Sequence, residues 1–244
     1  LAGGQALAGY PASVKVVDGT LGERAARYIA VVPDAENPFS RARNGEVGLL
    51  EGWALGQALD EVIAADRDKA DKRVVVAVVD VPSQALGIHQ ALAGAVDVYA
   101  RARLAGHPVI ALLVGKAMSG AFLAHGYQAQ RIIALRDPGV MVHAMGKAAA
   151  ARITLRSVEE LEALAESVPP MAYDIDNYAT LGLLWETLSV DSIEQPSADD
   201  LQRVRDCLDK AVADIGSSSD LRGRLGAPNR EASSRVRELL RAQW

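Results

Sequence analysis

Cysteine is almost missing: Cys207 stands alone in 244 residues, which excludes an internal disulfide and fits a reducing cytoplasm. Its surroundings, "LQRVRDCLDKAV", place Leu201, Val204, Leu208 and Val212 at helical spacing, so a buried, inert thiol is expected. Long apolar runs are missing too. The longest are of strand length and are broken by charges, short of the roughly 20 residues that cross a bilayer. Excess basic charge is absent: 26 Lys and Arg against 31 Asp and Glu leave a net charge of −5. No basic patch is interleaved with aromatics, which argues against nucleic acid as a partner. Neither G-x-G-x-x-G after a strand nor G-x-x-x-x-G-K-[ST] occurs, so the chain lacks the dinucleotide and P-loop signatures. His89, His107, His125 and His143 are scattered without ligand spacing, and no metal site is expected. The beginning, "LAGGQALAGYPASVKVV", has neither a starting Met nor the basic region of a signal peptide, and residues 1–12 are read as a trimmed, flexible start.

What is present suffices for a core. With 50% hydrophobic and 23% charged residues, residues 1–244 are expected to form a single domain. "SVKVV" and "RYIAVV" flank "DG" and look like two strands joined by a loop. Asn44 is expected to cap a long amphipathic helix whose apolar positions Val47, Leu50, Trp53, Ala54, Ala58, Val62 and Ala65 recur every three or four residues. "RVVVAVVDVP" is a buried strand stopping at Asp80, followed by a Gly-bearing loop and another helix. Asp80 would orient or cap that loop. "RIIALRDPGVMVHAMGKAAAARI" supplies two short strands across the turn Asp137-Pro138-Gly139, then a helix. Beyond residue 155 the chain reads as mostly helical with a break at Pro169-Pro170, and residues 196–244 as a helical C-terminal extension. Its last part carries Arg222, Arg224, Arg230, Arg235, Arg237 and Arg241 against three acids, with Val236, Leu239 and Leu240 on one face, the pattern of a solvated helix, with a partner-facing tail as the alternative.

The repeating unit is strand, strand, helix, and it predicts an α/β protein with its site near residues 82–90 and 115–121, where strand ends meet helix starts. The second of these stretches, "GKAMSGAFLAHG", follows the apolar strand "VIALLV". Two readings are open there. Ser119 is a nucleophile, or Ser119 caps a helix and the backbone N–H groups of Gly120 and Ala121 receive an oxyanion. Gly120 lacks a Cβ, so a ligand can approach its backbone closely. His125 follows the same stretch and is expected to be a satisfied core histidine rather than a proton donor.

Five strings, "NPFSRARNGEVGLLEGW", "VVDVPSQALGIHQ", "GKAMSGAFLAHG", "DPGVMVHAMGKAAAARI" and "PPMAYDIDNYATLG", resemble the gamma-subunit family of biotin-independent malonate decarboxylase. The first four are similar, more distantly, to the C-terminal or alpha-type half of acyl-CoA carboxylase carboxyltransferases. The likeness is collinear over roughly residues 25–190. It implies the ClpP/crotonase fold, a superhelix of strand-strand-helix units. It further implies decarboxylation of malonyl-S-acyl carrier protein to acetyl-S-acyl carrier protein and carbon dioxide, with the enolate held by the amides of Gly120 and Ala121 beside Ser119. The same resemblance makes Gly87, Ile88 and His89 the loop near the substrate, with Met118, Pro138, Gly139 and Val140 as further contacts near the carrier's arm. The implied partners are a beta-type subunit sharing the site in a heterodimer, an acyltransferase alpha subunit, and the acyl carrier protein. No cofactor is expected on this chain, because the substrate rides on the carrier's CoA-like prosthetic arm. The resemblance has one departure: in carboxyltransferases the matching half holds the carbonyl of biotin, whereas here no biotin is expected and the biotin-acceptor string Met-Lys-Met is absent, so which oxygen Gly120 and Ala121 would hold stays open. Two alternatives remain beside this reading: a Clp-like serine hydrolase using Ser119 and His143, and a structural half that only shapes its partner's site.

Overall fold

A computed structural model of the chain describes residues 1–85 and 89–244. Gly87, Ile88 and the side chain of His89 therefore fall outside the described residues. The chain opens with a hairpin of β1 (Val14–Leu21) and β2 (Arg24–Val31), turning at Gly22 with φ 55°. The expected turn at Asp18-Gly19 is corrected, since both residues lie inside β1 opposite Arg27 and Ala26. The reason is electrostatic. Arg27, almost fully buried, grips Asp18 with two parallel bonds of 2.7 and 2.8 Å, which fixes the pair across the strands.

Helix α1 (Leu49–Ala65) follows, then β3 (Val74–Val81), α2 (His89–Leu104), β4 (Val109–Met118) and a six-residue α3 (Ser119–Ala124). Asn44 does not cap α1, because its N–H and side-chain amide both go to Glu46. Gly48 takes that place, and its N–H is received by the Glu51 carboxylate at 2.9 Å. Glu51 is 0% exposed and answers also to Ser13 at 2.5 Å and Asn37 at 2.7 Å, so three donors hold one buried carboxylate at the head of the helix. Trp53, expected on the apolar face, is 75% exposed; the buried face is Ala54, Leu55, Ala58, Leu59 and Val62.

Next come β5 (Arg131–Leu135), β6 (Met141–His143), α4 (Lys147–Thr154), α5 (Val158–Ser167) and α6 (Ile175–Ala179), and then β7 (Glu186–Leu188), a strand the sequence did not disclose. Helices α7 (Ala198–Ile215) and α8 (Glu231–Gln243) close the described chain. The sheet runs β1-β2-β3-β4-β5-β7, parallel after the first hairpin, and β6 adds to β4 beyond the end of β5. Val74, Val75, Val76 and Ala77 are fully buried, as consecutive residues of a strand covered on both faces must be. Helix α1 packs on β1 and β2, α2 on α1 and β4, and α7 on β1 and β4.

Cys207 is buried on the inner face of α7 beside Val204 and Leu208, and burial pushes its thiol up to about 11, so the sulfur is inert as the spacing predicts. No residue of α8 is buried, and Val236, Leu239 and Leu240 are exposed. Among the described residues, no helix is long and apolar enough to cross a membrane.

Candidate active site

Strand β4 runs straight into α3 without the expected glycine loop, so one residue must make the turn. That residue is Ser119, with φ 57°. A left-handed conformation at a residue with a Cβ costs about 1–2 kcal/mol. Its surroundings enforce it. Strand β6 lies beside the last residues of β4, with Met118 opposite His143, and this brings the carbonyl of Ala144 to the Ser119 hydroxyl, which donates to it. The expected helix cap is thereby corrected: Ser119 is the first residue of α3, and its side chain bonds outward to a neighbouring loop.

The Ser119 proton is committed to a carbonyl, so no base draws on it. The His143 ring stacks on Tyr173 with centroids 3.9 Å apart, and its Nδ1 lies 3.0 Å from the Met145 carbonyl, which also receives the Tyr173 hydroxyl at 2.8 Å. Burial holds its imidazole below the usual range, which favours the neutral ring. Strand pairing makes Ser119 and His143 neighbours, but the hydrogen bond of a nucleophile and its base is not formed. The Ser119/His143 hydrolase reading is corrected on that ground.

Gly120 presents its N–H outside its own helix. The acceptor is the carboxamide oxygen of Gln84 at 2.9 Å. Gln84 is held from the other side, where Val47 donates to the Ser83 carbonyl and receives the Ala85 N–H, both at 3.0 Å. A Cβ on Gly120 would meet the Gln84 carboxamide at 3.4 Å and Leu92 at 3.5 Å, so this face of the glycine is closely approached. Ala121 follows, fully buried in the main core.

The remaining predicted contacts separate. Met118 is 3% exposed and packs its side chain with Ala150, Leu161 and Tyr173. Val140 is buried in the main core. The Asp137 side chain receives the Gly139 N–H at 2.7 Å and its carbonyl receives the Val140 N–H at 3.0 Å, which makes the expected turn. Gly139 lines a cleft of about 530 Å³ with Asp80, Gly115, Lys116, Asp137, Asp191 and others, and none of residues 118–121 line it. Asp80 builds one wall by filling an irregularity between β3 and β4. It accepts the Lys116 N–H at 2.8 Å, and a Cβ on Gly115 would lie 2.3 Å from its carboxylate. His125 is fully buried, bonded to the Tyr99 hydroxyl at 2.8 Å and the Val78 carbonyl at 3.0 Å, a satisfied core histidine as expected.

The residue that the sequence reading missed is Gln84. A side chain reaching from one loop, "VPSQALG", to the amide of another leaves no periodic trace in the sequence.

The mostly parallel sheet with helices between its strands is a crotonase-like fold. An enoyl-CoA hydratase structure from Geobacillus kaustophilus shares this fold at 13% identity, with a TM-score of 0.52 over 85% of this chain and 77% of that one. Within that class, the chain belongs to the malonate decarboxylase gamma-subunit family, whose sequence profile matches residues 42–244. It is similar, at 70% identity and TM-score 0.94, to a chain of a Pseudomonas malonate decarboxylase hetero-tetramer solved with coenzyme A, covering 98% of this chain and 94% of that one. A Pseudomonas MdcD-MdcE hetero-dimer is matched at 66% identity and TM-score 0.90 with the same coverage. The malonyl-S-ACP:biotin-protein carboxyltransferase MADD of Malonomonas rubra is 33% identical over 181 residues, 70% of this chain, and this chain spans 59% of that relative's length.

Proposed function

We propose that this chain is one half of a cytoplasmic malonyl-thioester decarboxylase and works with a beta-type subunit on malonyl-S-acyl carrier protein, delivered with the help of an acyltransferase subunit. The carbon–carbon bond to the carboxylate breaks, carbon dioxide leaves, and the electron pair stays behind as an enolate whose oxygen takes up the charge; a proton then completes the acetyl thioester. Charge developing on one oxygen is stabilised by donors fixed before it appears, each worth about 2.7–4 kcal/mol in comparable sites. Gly120 and Ala121 are the donors assigned here. The observation that carries the reading is the Gly120 N–H aimed at a carboxamide oxygen from another loop, 2.9 Å away, the same kind of oxygen as a thioester carbonyl. The cleft at Gly139 is a poor seat for the phosphate-bearing part of a carrier arm, since Asp80, Asp137, Asp191 and Glu194 face a single Lys116 there.

The test compares two substitutions in the complex with the beta-type partner. Ser119→Ala removes the bond to Ala144 and leaves both amides, so turnover should fall within about tenfold, a barrier change near 1.4 kcal/mol. Gly120→Val drives a branched side chain against Gln84 and Leu92, and turnover should fall at least about a hundredfold with the partner still bound. The opposite ranking would make the hydroxyl, not the amides, the working group. Normal turnover in Gly120→Val would instead leave the chain a structural half.

A further inference from the structure

A donor meant for a substrate oxygen is here already taken. The Gly120 N–H, near the start of α3, has no partner within its own helix. A protein oxygen, Gln84 Oε1, fills the place at 2.9 Å. The assignment of oxygen rather than nitrogen to this contact follows from the donor, since an N–H meets an acceptor and only the carboxamide oxygen accepts. The backbone on either side of Gln84 is tied to Val47 through Ser83 and Ala85, and Leu92 lies against the same face of Gly120. Gln84 itself is only half-buried, so its carboxamide has water to turn to.

Resting on the reading of Gly120 and Ala121 as the enolate's donors, we infer that Gln84 is a built-in competitor of the thioester: its carboxamide oxygen occupies the place of the substrate oxygen and is displaced when substrate binds. A neutral carboxamide and a neutral thioester carbonyl compete on similar terms, whereas an enolate oxygen accepts a charge-assisted bond about twice as strong. The device therefore lowers the share of molecules open to substrate and leaves the transition state able to hold the donor. It satisfies an otherwise unpaired N–H. Apparent affinity falls by the fraction of the chain that is open, and a net bond of ordinary strength makes that about fivefold.

The experiment uses the complex with the beta-type partner, malonyl-S-acyl carrier protein for kinetics, and glycine-labelled protein with acetyl-CoA for NMR. Gln84→Ala should lower KM about fivefold with kcat within twofold of the parent. Gln84→Glu, placing a charged acceptor on the same N–H and repelling a malonyl carboxylate, should raise KM. The Gly120 amide resonance should shift in Gln84→Ala without ligand, and shift in the parent when acetyl-CoA is added. A raised KM or a lost kcat in Gln84→Ala overturns the inference, because the carboxamide then assists the reaction. An amide resonance unchanged in Gln84→Ala overturns it as well, because the contact does not exist. If that resonance moves in Gln84→Ala while neither acetyl-CoA nor KM registers the change, the contact is real but Gly120 is not the donor, and the proposed hole falls together with its competitor.

Discussion

His125 has both ring nitrogens in use, one accepting from Tyr99 and one donating to Val78, in a fully buried setting. Burial holds its imidazole down to about 4, against an ordinary value of 6.5. The unfolded chain therefore binds a proton near pH 6.5 that the native chain refuses until about pH 4. Stability from this residue is complete above pH 6.5 and is eroded as the pH falls towards 4, by about 3 kcal/mol in all. His107 and His143, whose imidazoles burial also lowers, add in the same direction. Urea unfolding at a series of pH values should show this decline, and His125→Gln should flatten it; a level profile between pH 6.5 and 4 in the parent would contradict the burial argument. At this scale the sequence was partly legible. It placed Ser119, Gly120 and Ala121 at a strand-to-helix junction and valued the glycine for the close approach that a missing Cβ allows, but it carried no signal of which residue turns the backbone. The positive φ sits on Ser119, because the β4–β6 pairing and the Ala144 carbonyl decide the backbone there, and tertiary bonds outweigh residue preference.

Helices α1 and α2 touch through a glycine. A Cβ on Gly52 would lie 2.9 Å from the Ala91 carbonyl carbon and oxygen, which are backbone and cannot swing aside. Gly52→Ala gains about 1 kcal/mol of helix propensity but overpacks the crossing at a cost of about 1–3 kcal/mol or more. The expected outcome is a net loss of up to about 2 kcal/mol, read as a lower midpoint in denaturant unfolding; a higher midpoint would mean that the helices separate freely. Elements were legible where the pattern is long. Helix α1 and strands β3 and β4 declared themselves by periodicity or by unbroken apolar runs. Strand β7 did not, since Glu186–Leu188 is three residues with no alternation, and it is a strand because β5 offers a partner edge at Ile133 to Leu135. The irregularity at Gly115 was equally silent, being set by an Asp80 carboxylate from the adjacent strand.

The molecule as a whole is proposed to hold half of a site. Purified alone, it should release almost no carbon dioxide from a malonyl thioester, and addition of the beta-type partner should restore the activity; vigorous turnover by the isolated chain would contradict a shared site. The restored activity should survive avidin and chelators. Loss with avidin would favour a carboxyl transfer to biotin like that named for the Malonomonas relative. The order of the sheet bears on how such a chain is made. The hairpin β1–β2 is complete once residue 31 has been synthesised, but Ile133 of β5 finds its outer partner only at Glu186. During synthesis, β5 therefore waits with an open edge while residues 136–185 emerge. Unpaired edges recruit other chains. The speed of translation through that interval, rather than the stability of the finished fold, sets how long a nascent chain is open to aggregation.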